Sequence, residues 1–273
     1  GDGVTKHNVG DLVGVGAQAF ACLQSDCAAC REGIDTNCPH RVATYNAQYA
    51  DGQVSQGGYA EAVRVDSNYA FAIPKEIASE EAAPLLCAGA TVYTPMLHHQ
   101  VKAGDRVGVI GIGGLGHLAI QFARALDTHV TAFTTSESKR GDCLKLGAHK
   151  VININQEDQL KEATKSLDYL IVATNSCHTD WNLLTSWMRN RGKVILVAAP
   201  ENGVHIKPFA LIKGNISFVG SWIGGITEIQ QMFEFCAQHG IRPWIERLPM
   251  AEVNAGIQRV RDGKVRYRVV LSN

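Results

Sequence analysis

Between residues 105 and 222 short apolar runs alternate with amphipathic ones, and this alternation limits what the chain can fold into more than any other feature. "RVGVIGI", "HVTAFTT", "KVINI", "LDYLIVAT", "GKVILVAA" and "ISFVGSW" read as strands. Their near-continuous apolar character is what a parallel sheet covered on both faces requires. Helices are predicted between and after them. "GLGHLAIQFARAL" places Leu115, Leu118, Ala119, Phe122 and Leu126 on one face; "SKRGDCLKLG" ends at Gly147; "DWNLLTSWM" and "ITEIQQMFEFCAQHG" follow. The rhythm predicts an α/β fold built on a doubly wound parallel sheet.

Within that frame "VIGIGGLGH" carries Gly111-x-Gly113-Gly114-x-Gly116 directly after a strand and at the start of a helix. Gly111 permits a tight turn, Gly113 lets backbone approach a pyrophosphate, and Gly116 lets helix and strand pack closely, with the helix N-terminus facing the anion. Leu115 lies inside the same loop. The next strand ends in "FTTSESKR", which puts Thr134, Thr135 and Ser136 at its tip and Lys139 and Arg140 just beyond. Hydroxyls and two cations suit the 2′-phosphate of NADP(H). Glu137 lies within the spacing of a ribose-binding carboxylate and keeps an NAD reading open.

Residues 1–75 read instead as strands and Gly-rich turns, as in "DLVGVGAQAF", "SQGGY" and "YAEAVRV". A helix is predicted from Ser79 as N-cap, with Glu80 and Glu81 in its first turn; it runs past Pro84 and carries Cys87. Four of the eight cysteines fall in "CLQSDCAACREGIDTNC", as Cys22-x4-Cys27-x2-Cys30-x7-Cys38. Four thiolates in one loop predict a closed, structural tetrahedral zinc site; ordinary thiols or two disulfides are the other reading. Lys plus Arg and Asp plus Glu both number 26, so nothing resembles the basic footprint of a nucleic-acid binder. No apolar run approaches a membrane span, and the opening "GDGVTKHNVG" has no signal-peptide pattern.

"GVGAQAFACLQSDCAACREGIDTNC", "SQGGYAEAVRV", "AAPLLCAGATVYTPM", "VGVIGIGGLGHLAIQFARAL", "LKLGA" and "KVRYRVV" together resemble the cinnamyl-alcohol-dehydrogenase-like branch of the zinc-dependent medium-chain alcohol dehydrogenases. The resemblance spans the whole chain. It implies a Rossmann sheet plus a partial GroES-like β lobe. Residues 1–92 would form the lobe and its zinc loop, 93–244 the dinucleotide domain, and 245–273 a segment returning to the lobe.

The resemblance implies that Cys22, Cys27, Cys30 and Cys38 hold structural zinc and that Cys87 is a catalytic-zinc ligand. Thr91 would lie against the nicotinamide. Gly111, Gly113, Gly114, Leu115 and Gly116 would hold the pyrophosphate, and Thr135, Ser136, Lys139 and Arg140 the 2′-phosphate. Ser221 and Trp222 would lie at the nicotinamide end. The implied activity is NADPH-dependent, zinc-assisted and reversible reduction of aldehydes to primary alcohols by a cytoplasmic homodimer, with no nucleic-acid or membrane partner.

The chain departs from the family in two places. The first cysteine interval is four residues where two are usual. The family's first catalytic cysteine and His-Glu pair are expected upstream of Gly1, and no His-Glu dipeptide occurs in the chain. His98 and His99, 11 and 12 residues beyond Cys87, would lie about 16–18 Å from it on a continuous helix, too far to share a metal. His40 reads as a loop residue. Two further functions therefore stand beside the first: a cofactor-binding homologue without dehydrogenase activity, and a zinc-independent NADPH reductase of activated double bonds.

Overall fold

The computed structural model describes residues 1–177 and 179–273. They form two compact units, Gly1–Ala90 with Ile223–Asn273, and Thr91–Trp222.

The unit Thr91–Trp222 is built on six parallel strands: β1 (Arg106–Ile110), β2 (His129–Thr134), β3 (Lys150–Asn153), β4 (Leu167–Val172), β5 (Met188–Leu196) and β6 (Ser217–Gly220). Their spatial order is β3-β2-β1-β4-β5-β6. The direction of winding reverses between β1 and β4, which opens a crevice at the carboxyl ends of those strands. Val107, Val109, Val130, Ala132, Leu170 and Ile171 are wholly buried, which explains why these strands read as unbroken apolar runs. Beside them Phe133 stacks on Trp187 at 4.3 Å, nearly parallel. Helix Gly116–Ala125 buries Leu118, Ala119 and Phe122 of the predicted face, with Ile120 and Ala123 as well. Helix Trp181–Ser186 is capped by Asp180, whose carboxylate accepts from the amides of Asn182 and Leu183.

The other unit is assembled from short paired strands. Val13–Val15 pairs with Ala70–Ala72, Gln18–Phe20 with Val42–Ala43, Tyr45–Gln48 with Val54–Gln56, and Ile245–Pro249 with Arg268–Ser272. "YAEAVRV" is not a strand, contrary to its alternation: among the described residues no strand pairs with it, and Tyr59 and Val63 are exposed. A strand pattern without a neighbouring ladder has no partner for its amides. Helix Ser79–Pro84 has Ala78, not Ser79, as its N-cap; Ser79 is the first helical residue, and the Ala78 amide donates to Glu81.

The dinucleotide unit ends earlier than the expected residue 244. Helix Ile226–His239 lies in the other unit, where Ile229, Met232, Phe233 and Cys236 are buried. Gly16 and Gly89 admit it: a Cβ at either would lie 3.3 Å from Ile229 or Met232 respectively. Packing of the helix's apolar face, rather than its place in the βαβ rhythm, decides where it belongs. No helix among the described residues is long and apolar enough to cross a membrane.

Candidate active site and metal centre

The glycine loop follows β1 as the spacing requires. Gly111 has φ +91°, and a Cβ there would lie 2.7 Å from the backbone of Ala173 and Thr174 beyond β4. A Cβ on Gly116 would lie 2.2 Å from the Gly111 carbonyl oxygen. These two glycines are thus demanded by protein packing. Gly113 has open space where its Cβ would be, which is what a backbone approached by a ligand needs.

A cavity of about 520 Å³ opens beside this loop. Of the expected cofactor residues it is lined by Gly111, Gly113, Thr135 and Lys139. The Lys139 ammonium donates to the Ile112 carbonyl at 2.7 Å, fixing a cation over the glycine loop. Ser136 lies beside the wall, its hydroxyl 2.7 Å from that of Ser138. Arg140 does not line the cavity. Its guanidinium holds the Val151 carbonyl at 3.1 Å and pairs with Glu137. That pairing keeps the Glu137 carboxyl below the usual carboxylate range. Gly114, Leu115 and Gly116 turn the chain into the helix behind the cavity wall. Thr91 is buried at the head of this unit. Ser221 and Trp222 follow β6 and do not line this cavity; the Ser221 amide donates to the Leu196 carbonyl at 3.0 Å, and Trp222 is exposed.

The far wall comes from residues that the sequence reading passed over: Thr174, Asn175, Ser176, Thr179 and Asp180, after β4. Their signal was available. In a doubly wound sheet the loop after the strand across the reversal borders the same crevice as the glycine loop.

In the other unit the four cysteines of the loop converge. Their sulfurs all lie within 4.8 Å of one another, with Cys22–Cys38 at 3.5 Å, Cys22–Cys30 at 3.7 Å and Cys27–Cys38 at 4.0 Å. A tetrahedron with metal–sulfur bonds of about 2.3 Å has sulfur–sulfur edges of about 3.8 Å, so the cluster has the dimensions of a zinc site. The separations are far longer than the roughly 2 Å of a disulfide. The longer first interval does not displace Cys22 from the set. Burial pushes the Cys38 thiol up, yet the amides of Cys22 and His40 and the thiols of Cys22 and Cys30 outweigh it and hold Cys38 at about 7. Burial and the neighbouring thiols push Cys30 up to about 12. Crowded sulfurs that cannot all ionise alone are what a divalent cation would relieve.

Cys87 sits in one π-helical turn, Leu85–Gly89, between Ser79–Pro84 and Ala90–His98. The turn buries Leu85, Leu86, Ala88 and Gly89 and leaves Cys87 exposed. An i→i+5 turn shifts the phase of the helix face, so a cysteine in an apolar run points outward. Cys87 borders a cleft of about 330 Å³ with Thr44, Tyr45 and Ser79. Burial, then the charge of Cys87 and a hydrogen bond to it, raise the Tyr45 phenol above its ordinary value. Among the described residues the four-cysteine cluster is the one group of three or more metal-ligating side chains, so no second ligand set gathers at Cys87. His98 and His99 lie in the other unit.

Two families match the chain. The alcohol dehydrogenase GroES-like domain covers residues 1–75, and the zinc-binding dehydrogenase family covers 114–238. Aldehyde reductase YahK of Escherichia coli (strain K12) is 40% identical over 278 residues, covering 100% of this chain and 78% of that protein. The chain is a zinc-type medium-chain alcohol dehydrogenase of the cinnamyl-alcohol-dehydrogenase-like branch. The structure of cinnamyl alcohol dehydrogenase SbCAD4 from Sorghum bicolor superimposes on this dehydrogenase with TM-score 0.95 at 34% identity, covering 99% of this chain and 77% of that one. A CAD from Helicobacter pylori complexed with NADP(H) gives TM-score 0.90 at 33% identity over the same shares. The dehydrogenase spans about three-quarters of the length of its plant relatives. Zinc and a nicotinamide dinucleotide are accordingly the cofactors of its class.

Proposed function

We propose that this dehydrogenase interconverts an aldehyde and its primary alcohol with NADP(H). The observation that carries the cofactor preference is the cavity wall: Lys139 and Thr135 line it, while Glu137 is occupied by Arg140. A ribose-reading carboxylate at that tip would have to give up its guanidinium partner. The complex of the Helicobacter pylori relative with NADP(H) and the name aldehyde reductase of the Escherichia coli relative support the same reading.

In this proposal Gly111, Gly113, Gly114, Leu115 and Gly116 hold the pyrophosphate at the helix N-terminus, and Thr135, Ser136 and Lys139 hold the 2′-phosphate, while Arg140 keeps Glu137 occupied. Thr91, Ser221 and Trp222 border the nicotinamide. When bound, the cofactor supplies or accepts the hydride. Cys22, Cys27, Cys30 and Cys38 hold a zinc that fastens their loop. Cys87 is the residue assigned to the catalytic zinc by resemblance; among the described residues it belongs to no group of three or more metal-ligating side chains. Dimerisation uses the open edge of β6, and a cytoplasmic setting would keep the four thiols reduced.

The test follows NADPH oxidation with cinnamaldehyde, with an enone and with NADH in place of NADPH. Aldehyde turnover that prefers NADPH, and a Lys139→Ala variant whose NADPH affinity drops about tenfold with little change for NADH, are the expected results. Turnover of the enone alone, or equal use of both cofactors, would refute the proposal.

A further inference from the structure

The cysteine loop does more than close on a metal. Between Cys30 and Cys38 it makes a 3-10 turn, Asp35–Asn37, and Asp35 is 5% exposed. A carboxylate buried so deeply needs every acceptor site engaged. Asp35 Oδ2 accepts from the Tyr69 hydroxyl at 2.8 Å. Its Oδ1 accepts from the backbone amide of Ile226 at 3.2 Å, across 191 residues of sequence. Its backbone carbonyl accepts from the Cys38 amide at 3.1 Å and from Gln18 Nε2 at 3.1 Å. The same Gln18 nitrogen donates to the Tyr69 oxygen at 3.1 Å. A chain of short contacts thus runs from a cluster sulfur, through Cys38 and Asp35, to the first amide of helix Ile226–His239.

Gly225, just before that helix, is built for this contact. A Cβ there would lie 2.4 Å from Asp35 Oδ1 and 2.9 Å from Glu228 Oε2. The helix's own capping arm is present as well, since the Gly225 amide donates to Glu228 at 3.0 Å. Asp35 is therefore a second acceptor brought from a distant loop to an N-terminus that already has one. Local capping leaves up to four amides without intrahelical partners, and Asp35 takes one of them.

We propose that Asp35 is a positioning residue through which filling of the four-cysteine site orders the start of helix 226–239. This ordering does not rest on the function proposed above.

The test is hydrogen exchange read by mass spectrometry on the full chain, zinc-loaded and chelator-stripped, as wild type, Asp35→Ala and Asp35→Asn. In zinc-loaded protein Asp35→Ala should raise exchange at the start of helix 226–239 about fivefold to tenfold, the scale of a lost cap. Asp35→Asn keeps an acceptor at Oδ1 and should restore most of the protection. Stripping the metal should raise exchange there in wild type and add little in Asp35→Ala, because both changes cut one path. Tyr69→Phe, which removes one partner of Oδ2, should give a smaller change at the same peptide and serves if Asp35→Ala does not fold. Exchange that rises uniformly over the chain, or additive effects of stripping and Asp35→Ala, would overturn the proposal. If the exchange results hold while wild type shows no aldehyde turnover, the function above fails and the ordering stands.

Discussion

At the scale of single residues, the glycine loop separates two jobs that one motif conceals. Gly116 meets protein backbone and Gly113 meets open space. Gly116→Ala must push the helix off the Gly111 carbonyl, so it should lower stability by about 1–3 kcal/mol in chemical denaturation and weaken cofactor binding with it. Gly113→Ala should leave the denaturation midpoint unchanged and weaken NADPH binding alone, measured by calorimetry. Equal loss of stability in the two variants would contradict this division. The roles of Gly113 and Gly116 are legible in the spacing of the motif, but the close approach that Gly111 makes is not, because the atoms it meets belong to Ala173 and Thr174, some 60 residues on. Cys87 makes the same point. An apolar run implies burial, and one π turn reverses it.

At the scale of elements, the cysteine loop has little regular structure of its own. Its helix, Ala28–Arg31, is four residues long, far below the length at which a helix persists unaided. Chelation should therefore release residues 22–38 to alkylation and proteolysis while the unit Thr91–Trp222 keeps its exchange protection; zinc readdition should reverse the change. Strand edges in the parallel sheet hold a pH-dependent contact. The Val130 amide donates to His149 Nδ1 at 3.0 Å, and the His149 amide returns a bond to the Val130 carbonyl. Partial desolvation, then the charges of Arg124 and His129, hold the His149 ring below its ordinary 6.5. A depressed histidine stays neutral in the fold while the unfolded chain takes up a proton. Its contribution is therefore complete above pH 6.5, falls as the pH drops below that value, and levels off below the folded pKa. The ring is exposed, so the effect is small. NMR titration should place the His149 midpoint below 6.5, and His149→Asn, which keeps an acceptor near Nδ1, should remove this part of the acid-side slope. A midpoint above 6.5 would contradict the assignment.

At the scale of the whole molecule, β6 is the outer strand of the sheet, with one side of its ladder open. Pairing of that edge with a second copy is the association proposed here. Sedimentation should give twice the mass of the chain. The Ser221 amide faces β5, so by alternation the Gly220 amide faces the open side, and Gly220→Pro should shift the protein toward monomer without loss of the glycine-loop cavity. A Gly220→Pro protein that remains dimeric would place the interface elsewhere.

The sequence by itself determined the features whose residues are close together along the chain. The strand–glycine–helix turn lies within about a dozen residues, the four sulfur ligands within 22–38, and the strand rhythm follows from burial on both faces of a sheet. Tertiary structure decided what depends on residues far apart. It moved helix Ile226–His239 into the unit of Gly1–Ala90, because that helix's apolar face fits over Gly16 and Gly89. It drew Thr174, Asn175, Ser176, Thr179 and Asp180 to the wall opposite the glycine loop, and it set a carboxylate from the cysteine loop on an amide 191 residues away. Periodicity and spacing record which face a residue turns to its neighbours along the chain. Which distant surface covers that face is fixed only when the elements pack.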